Sequence, residues 1–175
     1  MADEIDGNDV DVTVDIPSIE EPGVLALTVA SDATTLSENG STDLVRQFTG
    51  TLPTVTVTDT RTPDDVPDSA YWYVLGTASD FVSDAQPTQT IAADNFGWEP
   101  ALVAGSGESF VSVGDEVGTA LDGEPGLVDQ ELLFLADSQP ATGGAWSATA
   151  DLRLKVPASV APGTYKSTIT LSLFE

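Results

Sequence analysis

The chain contains no cysteine and no histidine. Without thiolates or imidazoles it has no Cys-rich zinc site, no thiol nucleophile, no histidine general base and no serine triad that runs through histidine. Cations are nearly as scarce. Arg46, Arg61, Arg153, Lys155 and Lys166 stand against 29 acids, for a formal charge of -24 at pH 7. Such a field repels nucleic acid and anionic lipid, so neither is an expected partner. No run approaches the roughly 18 uninterrupted apolar residues of a membrane helix, and a bilayer-spanning role is not expected.

What is present suits one sizeable core: 175 residues, 41% apolar, within the usual span of a single domain and large enough to need no disulfides. Carboxylates are the abundant acid-base groups, which leaves a two-acid glycoside hydrolase as the one enzyme class to weigh. With so many acids, pairs arise by chance, and the expected protein is not an enzyme and carries no cofactor. Calcium would require clustered oxygen ligands. Asp3-Glu4-Ile5-Asp6-Gly7-Asn8-Asp9 has the density but lacks the EF-hand spacing, and Asp59 with Asp64, Asp65 and Asp68 forms a second acidic loop. Both read as solvated charge, and no metal site is expected.

Residues 1–22 hold eight acids and no base and end at the turn signal Glu21-Pro22-Gly23. This predicts an acidic arm followed by one domain over 23–175. Within the arm, Val10, Val12, Val14 and Ile16 alternate with polar residues and share one face of a strand. That stripe must be covered, either as an edge strand of the chain's own sheet or by strand addition onto a neighbouring subunit. The first residues, Met1-Ala2-Asp3-Glu4-Ile5-Asp6, have the opposite order to a secretory signal. Synthesis in the cytosol is expected, unless a signal has been removed.

From Val24 onward, short β-type runs are broken by Gly, Pro, Asp and Ser. Val24 to Val29, Val45 to Phe48, Thr54 to Thr58, Tyr71 to Leu75, Asp80 to Val82, Leu132 to Leu135, Trp146 to Val156 and Thr164 to Phe174 read as strands. The expected fold is all-β, an immunoglobulin-like antiparallel β-sandwich with an extended N-terminal arm. Between about 91 and 129 the periodicity fades and glycine becomes frequent, which predicts a long Gly-rich insertion. Trp72 and Trp146 fall in strands and are expected in the core, whereas Trp98, in Asn95-Phe96-Gly97-Trp98-Glu99-Pro100, reads as a turn residue available for surface contact. Arg153 and Lys155 share a strand face and Lys166 lies in the strand after it. Either they pair with acids across strands, or they form a small basic stripe at a protein contact.

Several of these segments resemble a known pattern. Leu25-Ala26-Leu27-Thr28-Val29-Ala30, Gly50 to Arg61, Trp72 and Ser79-Asp80-Phe81 are similar to β-sandwich domains of secreted actinobacterial proteins related to the WxL surface domain. Ala161-Pro162-Gly163-Thr164-Tyr165 and the alternating run to Leu173 resemble that family's closing segment. The strict Trp-x-Leu triplet is absent, since Tyr73, Val74 and Leu75 follow Trp72. The resemblance implies either a cell-surface domain that binds peptidoglycan or polysaccharide, or a structural protein of an actinobacterial phage. The second is preferred: a capsid decoration protein on the outer surface of the head, or else a tail accessory protein. Its partners would be the major capsid protein, other virion subunits and further copies of itself, assembled in the host cytoplasm.

Overall fold

The computed structural model describes residues 10–14 and 23–175. Ile16 and the rest of the arm lie outside the described residues. The described residues form thirteen strands: β1 (Leu25–Val29), β2 (Ser37–Glu38), β3 (Val45–Thr51), β4 (Val55–Asp59), β5 (Tyr71–Ala78), β6 (Phe81–Ser83), β7 (Thr90–Ile91), β8 (Phe96–Leu102), β9 (Val111–Val113), β10 (Glu131–Asp137), β11 (Gly144–Pro157), β12 (Tyr165–Lys166) and β13 (Ile169–Phe174). Two antiparallel sheets form an all-β sandwich. One has the order β1-β4-β11-β3-β2 with β8 also on β11, the other the order β13-β5-β10-β9. A small third sheet, β12-β6-β7, sits beside them.

The 14-residue β11 is the spine of the first sheet. Its alternation buries Trp146, Ala148, Ala150, Leu152, Leu154 and Val156 and turns the intervening residues outward, the period of two that a one-sided sheet requires. Along one of its edges, β3 pairs with residues 151–157 and β4 with residues 144–148. Leu52 extends this ladder by donating its N–H to the Ala150 carbonyl at 2.9 Å. Pro53, which has no N–H to donate, then divides one long strand into two. The opposing wall comes from Trp72, Val74, Gly76 and Ala78 of β5 and from Leu133, Phe134 and Ala136 of β10. A register shift between Leu132 and Phe134 explains why two successive residues, Leu133 and Phe134, both face the core.

Residues 91–129 are not an insertion outside the sheets, which corrects the expectation from composition. β8 pairs with β11 from Phe96 opposite Leu154 to Leu102 opposite Ala148, and Phe96, Trp98 and Pro100 are buried. The glycines and proline that suggested a loop have local reasons to be there. Trp98 exchanges backbone hydrogen bonds with Val117 on the outer edge, so Pro100, two residues on, would also present its N–H to that edge and withholds nothing from β11. Gly97 lets the Val117 carbonyl approach, since a Cβ there would lie 2.3 Å from that oxygen. Leu127, fully buried, accepts from Ala78 and donates to Phe96, stitching one sheet to the other.

Candidate functional site

The sandwich is closed on one side and open on the other. Along the open side run β1, paired among the described residues only with β4, and β13, paired among them only with β5. Within the described residues each therefore has a free edge, and between them lies a cavity of about 1170 Å³. Its walls include Leu27 and Phe48 from the first sheet, Ile169 and Leu171 from β13, and Tyr165 from the third sheet. These side chains pack against the core yet remain only partly buried, as do Leu25 and Leu173 nearby. At one end the seam is tied shut. Leu25 pairs with Asp59, and the Arg61 guanidinium bridges Asp59 to Glu175, which follows β13.

The arm residues that can be described stand away from this seam. Val10, Val12 and Val14 are 82%, 90% and 76% exposed, and residues 10–14 form no strand. The chain enters the first sheet at Val24, whose N–H donates to Thr60 Oγ1 and whose carbonyl accepts from the Thr60 N–H. Of the two fates open to the stripe, pairing within its own sheet is not seen for Val10, Val12 and Val14.

Arg153 and Lys155 do share the outer face of β11, but each is engaged by an acid of the chain: Arg153 with Glu116 at 3.3 Å and Lys155 with Asp122. Lys166 lies in the third sheet and pairs with Asp84 at 3.2 Å. The three cations therefore do not make one continuous stripe. Trp98 is not a surface residue. It is 1% exposed in β8, and its ring reaches across the core to β5, where a Cβ at Gly76 would meet it at 2.5 Å. The alternation of Phe96, Trp98, Pro100 and Leu102 was the signal for this placement, obscured by the glycine and proline inside it.

A buried charge cluster is the feature that sequence reasoning missed. Asp59, placed in an acidic loop from its neighbours in sequence, is 1% exposed at the end of β4. Arg61 forks around its carboxylate, Nε to Oδ1 at 2.9 Å and Nη2 to Oδ2 at 2.8 Å, and holds both oxygens of Glu175 at 2.8 and 2.7 Å. Ser138 Oγ donates to Glu175 at 2.8 Å. The available signal was periodicity, because Val55, Val57 and Asp59 fall on one face and an acid on a core face demands a partner. The Arg61 fork, helped by Ser138, holds the Glu175 carboxyl below its ordinary range, and the two acids hold the guanidinium firmly protonated. The cluster ties two sheets together; among the described residues no group of three or more acids is placed to hold a metal.

Asp122 is displaced further. Lys155 and then the Thr119 hydroxyl and N–H lower its carboxyl to about 2. A carboxyl with a folded value below its unfolded one stabilises the fold above the unfolded value, and that stability disappears as pH falls through the folded one. The protein is therefore expected to lose stability through Asp122 between about pH 4 and pH 2, by no more than about 1 kcal/mol because the Asp122–Lys155 pair lies exposed and is screened by solvent. Urea midpoints measured across that interval should fall less steeply for Asp122→Asn than for the unaltered protein. Equal slopes would remove Asp122 from the acid response.

No family model and no curated protein matches the chain. A solved structure titled as a chaperone-tip adhesin complex vital for activation of CFA/I fimbriae biogenesis is similar at a TM-score of 0.49 and 11% identity. The match covers 85% of this chain, which spans 41% of that one.

Proposed function

We propose that the protein is a non-catalytic structural subunit of a virion, a decoration protein on the outer surface of an actinobacteriophage capsid, attached to the major capsid protein or a neighbouring virion subunit through its N-terminal arm. The observation that carries a structural role is the arm itself: three valines of a strictly alternating stripe stand exposed on an acidic segment. Exposed apolar stripes are interaction surfaces or aggregation hazards. The charge of -24 suits a body that faces solvent, keeping copies dispersed until they dock. The phage setting rests on the sequence resemblance alone.

The test is incorporation. Removal of residues 1–22 should abolish co-sedimentation of the protein with assembled particles while the sandwich stays folded by circular dichroism. Normal incorporation of the truncated protein would overturn attachment through the arm, and imaging of labelled particles separates a head position from a tail one.

A further inference from the structure

We infer that the open seam is a receptor for the arm of a second copy of this chain, which adds a strand to the free edge of β13 with Val10, Val12, Val14 and Ile16 turned into the cavity. This deepens the structural reading above by naming a partner for the arm. Among the described residues, the seam lacks a strand where the rest of the sandwich has one. Within them β13 has backbone groups unpaired on one edge, and the apolar wall beside that edge, Leu27, Phe48, Ile169 and Leu171, is only partly covered. The arm supplies what is missing. Its stripe from Val10 to Ile16 spans roughly 23 Å as a strand, against roughly 20 Å for β13, at about 3.3 Å per residue. Its period of two puts every apolar side chain on the face that would enter the seam.

Charge does not oppose the fit. Asp32 is the one acid among the seam's lining residues, and Arg46 and Lys166, which also line it, are paired with Glu38 at 2.7 Å and Asp84 at 3.2 Å. A segment carrying eight acids and no base meets less repulsion there than on the acidic remainder of the body. At the β13 edge, direction favours a second copy over the chain's own arm, which on folding back would find its antiparallel partner in β1 instead. Val24 is held at the end of the sandwich where Glu175 lies, so an arm folded straight back from it would run parallel to β13. Every strand pair in the two sheets is antiparallel, and an arm from another copy is free to take that orientation, the better pairing. An arm given to one neighbour and a seam filled by another is a head-to-tail contact, which builds rings or open rows.

The purified full-length protein, at physiological salt and above so that repulsion between copies is screened, should self-associate with rising concentration by light scattering. Both the 1–22 truncation and a Val12→Asp, Val14→Asp double substitution should be monomeric and keep the melting temperature of the body. A labelled peptide of residues 8–18 should bind the truncated protein, and the same peptide carrying the two aspartates should bind at least about tenfold more weakly. Three results overturn the inference: oligomers that survive the truncation, a monomeric full-length protein that melts above its truncation because the arm docks on its own body, and a full-length monomer whose arm changes nothing. Particle incorporation is not a readout here, so failure of this contact and failure of the capsid role are told apart.

Discussion

Trp98→Ala is expected to lower the unfolding free energy by about 3–5 kcal/mol, the usual range for emptying a buried Trp or Phe site. The ring is held in β8, crosses the core and lies on the backbone of β5 at Gly76, a position where a side chain longer than hydrogen would displace it. Its removal therefore opens a void between both sheets that neither can close without moving a strand. Trp98→Phe should cost much less, because most of the apolar contact survives and the indole N–H, which makes no hydrogen bond to the protein, is removed with it. Urea or guanidinium unfolding followed by tryptophan fluorescence separates the two. A loss under about 1 kcal/mol for the alanine variant would refute the placement of Trp98 in the core. The same experiment governs how any loss of glycan binding on Trp98→Ala is interpreted, since a buried ring acts on a ligand only through the fold.

Arg61→Ala should be of similar size, about 3–5 kcal/mol, for a different reason. Asp59 is buried and its carboxylate receives the Arg61 fork; with the guanidinium gone it keeps only the Arg61 backbone N–H at 3.0 Å. An ion left in the interior without its counter-ion costs several kcal/mol, more than the pair itself contributes. Adding Asp59→Asn to Arg61→Ala should recover a substantial part of the loss, because the charge that suffers is then absent. A double variant no more stable than Arg61→Ala would refute this. Arg61→Lys should not rescue, since one ammonium cannot reach two carboxylates with a planar fork.

Much of the fold was legible in periodicity, and the exceptions have physical causes. Thr54 to Thr58 and Trp146 to Val156 alternate cleanly, Tyr71 to Leu75 is a run of aromatic and apolar strand formers, and all three lie within or across β4, β5 and β11. β8 alternates too, but Gly97 and Pro100 carry turn signals; both are tolerated because of how close Val117 comes and which edge Pro100 faces. Periodicity assigns a residue to a face and says nothing of what lies opposite. That is why Arg153 and Lys155 could be put on one face while Glu116 and Asp122, which neutralise them, could not be foreseen. The seam is still less visible in sequence. Among the described residues it is a strand position left empty between β1 and β13, and only the packing of two sheets reveals it.

The central place of β11 also sets when the molecule can fold. Its edges are the pairing sites for β3, β4 and β8, and Thr56 and Ser147, hydrogen-bonded at 2.7 Å, are 91 positions apart. Until residues 144–157 have left the ribosome, those earlier strands have no spine to join. Loop closure over such distances slows folding toward the millisecond-to-second regime of β-sandwiches. Nascent chains thus pass through a long interval with bare strand edges, the state most prone to misassociate. The surplus of acids along the chain makes those immature chains repel one another during that interval.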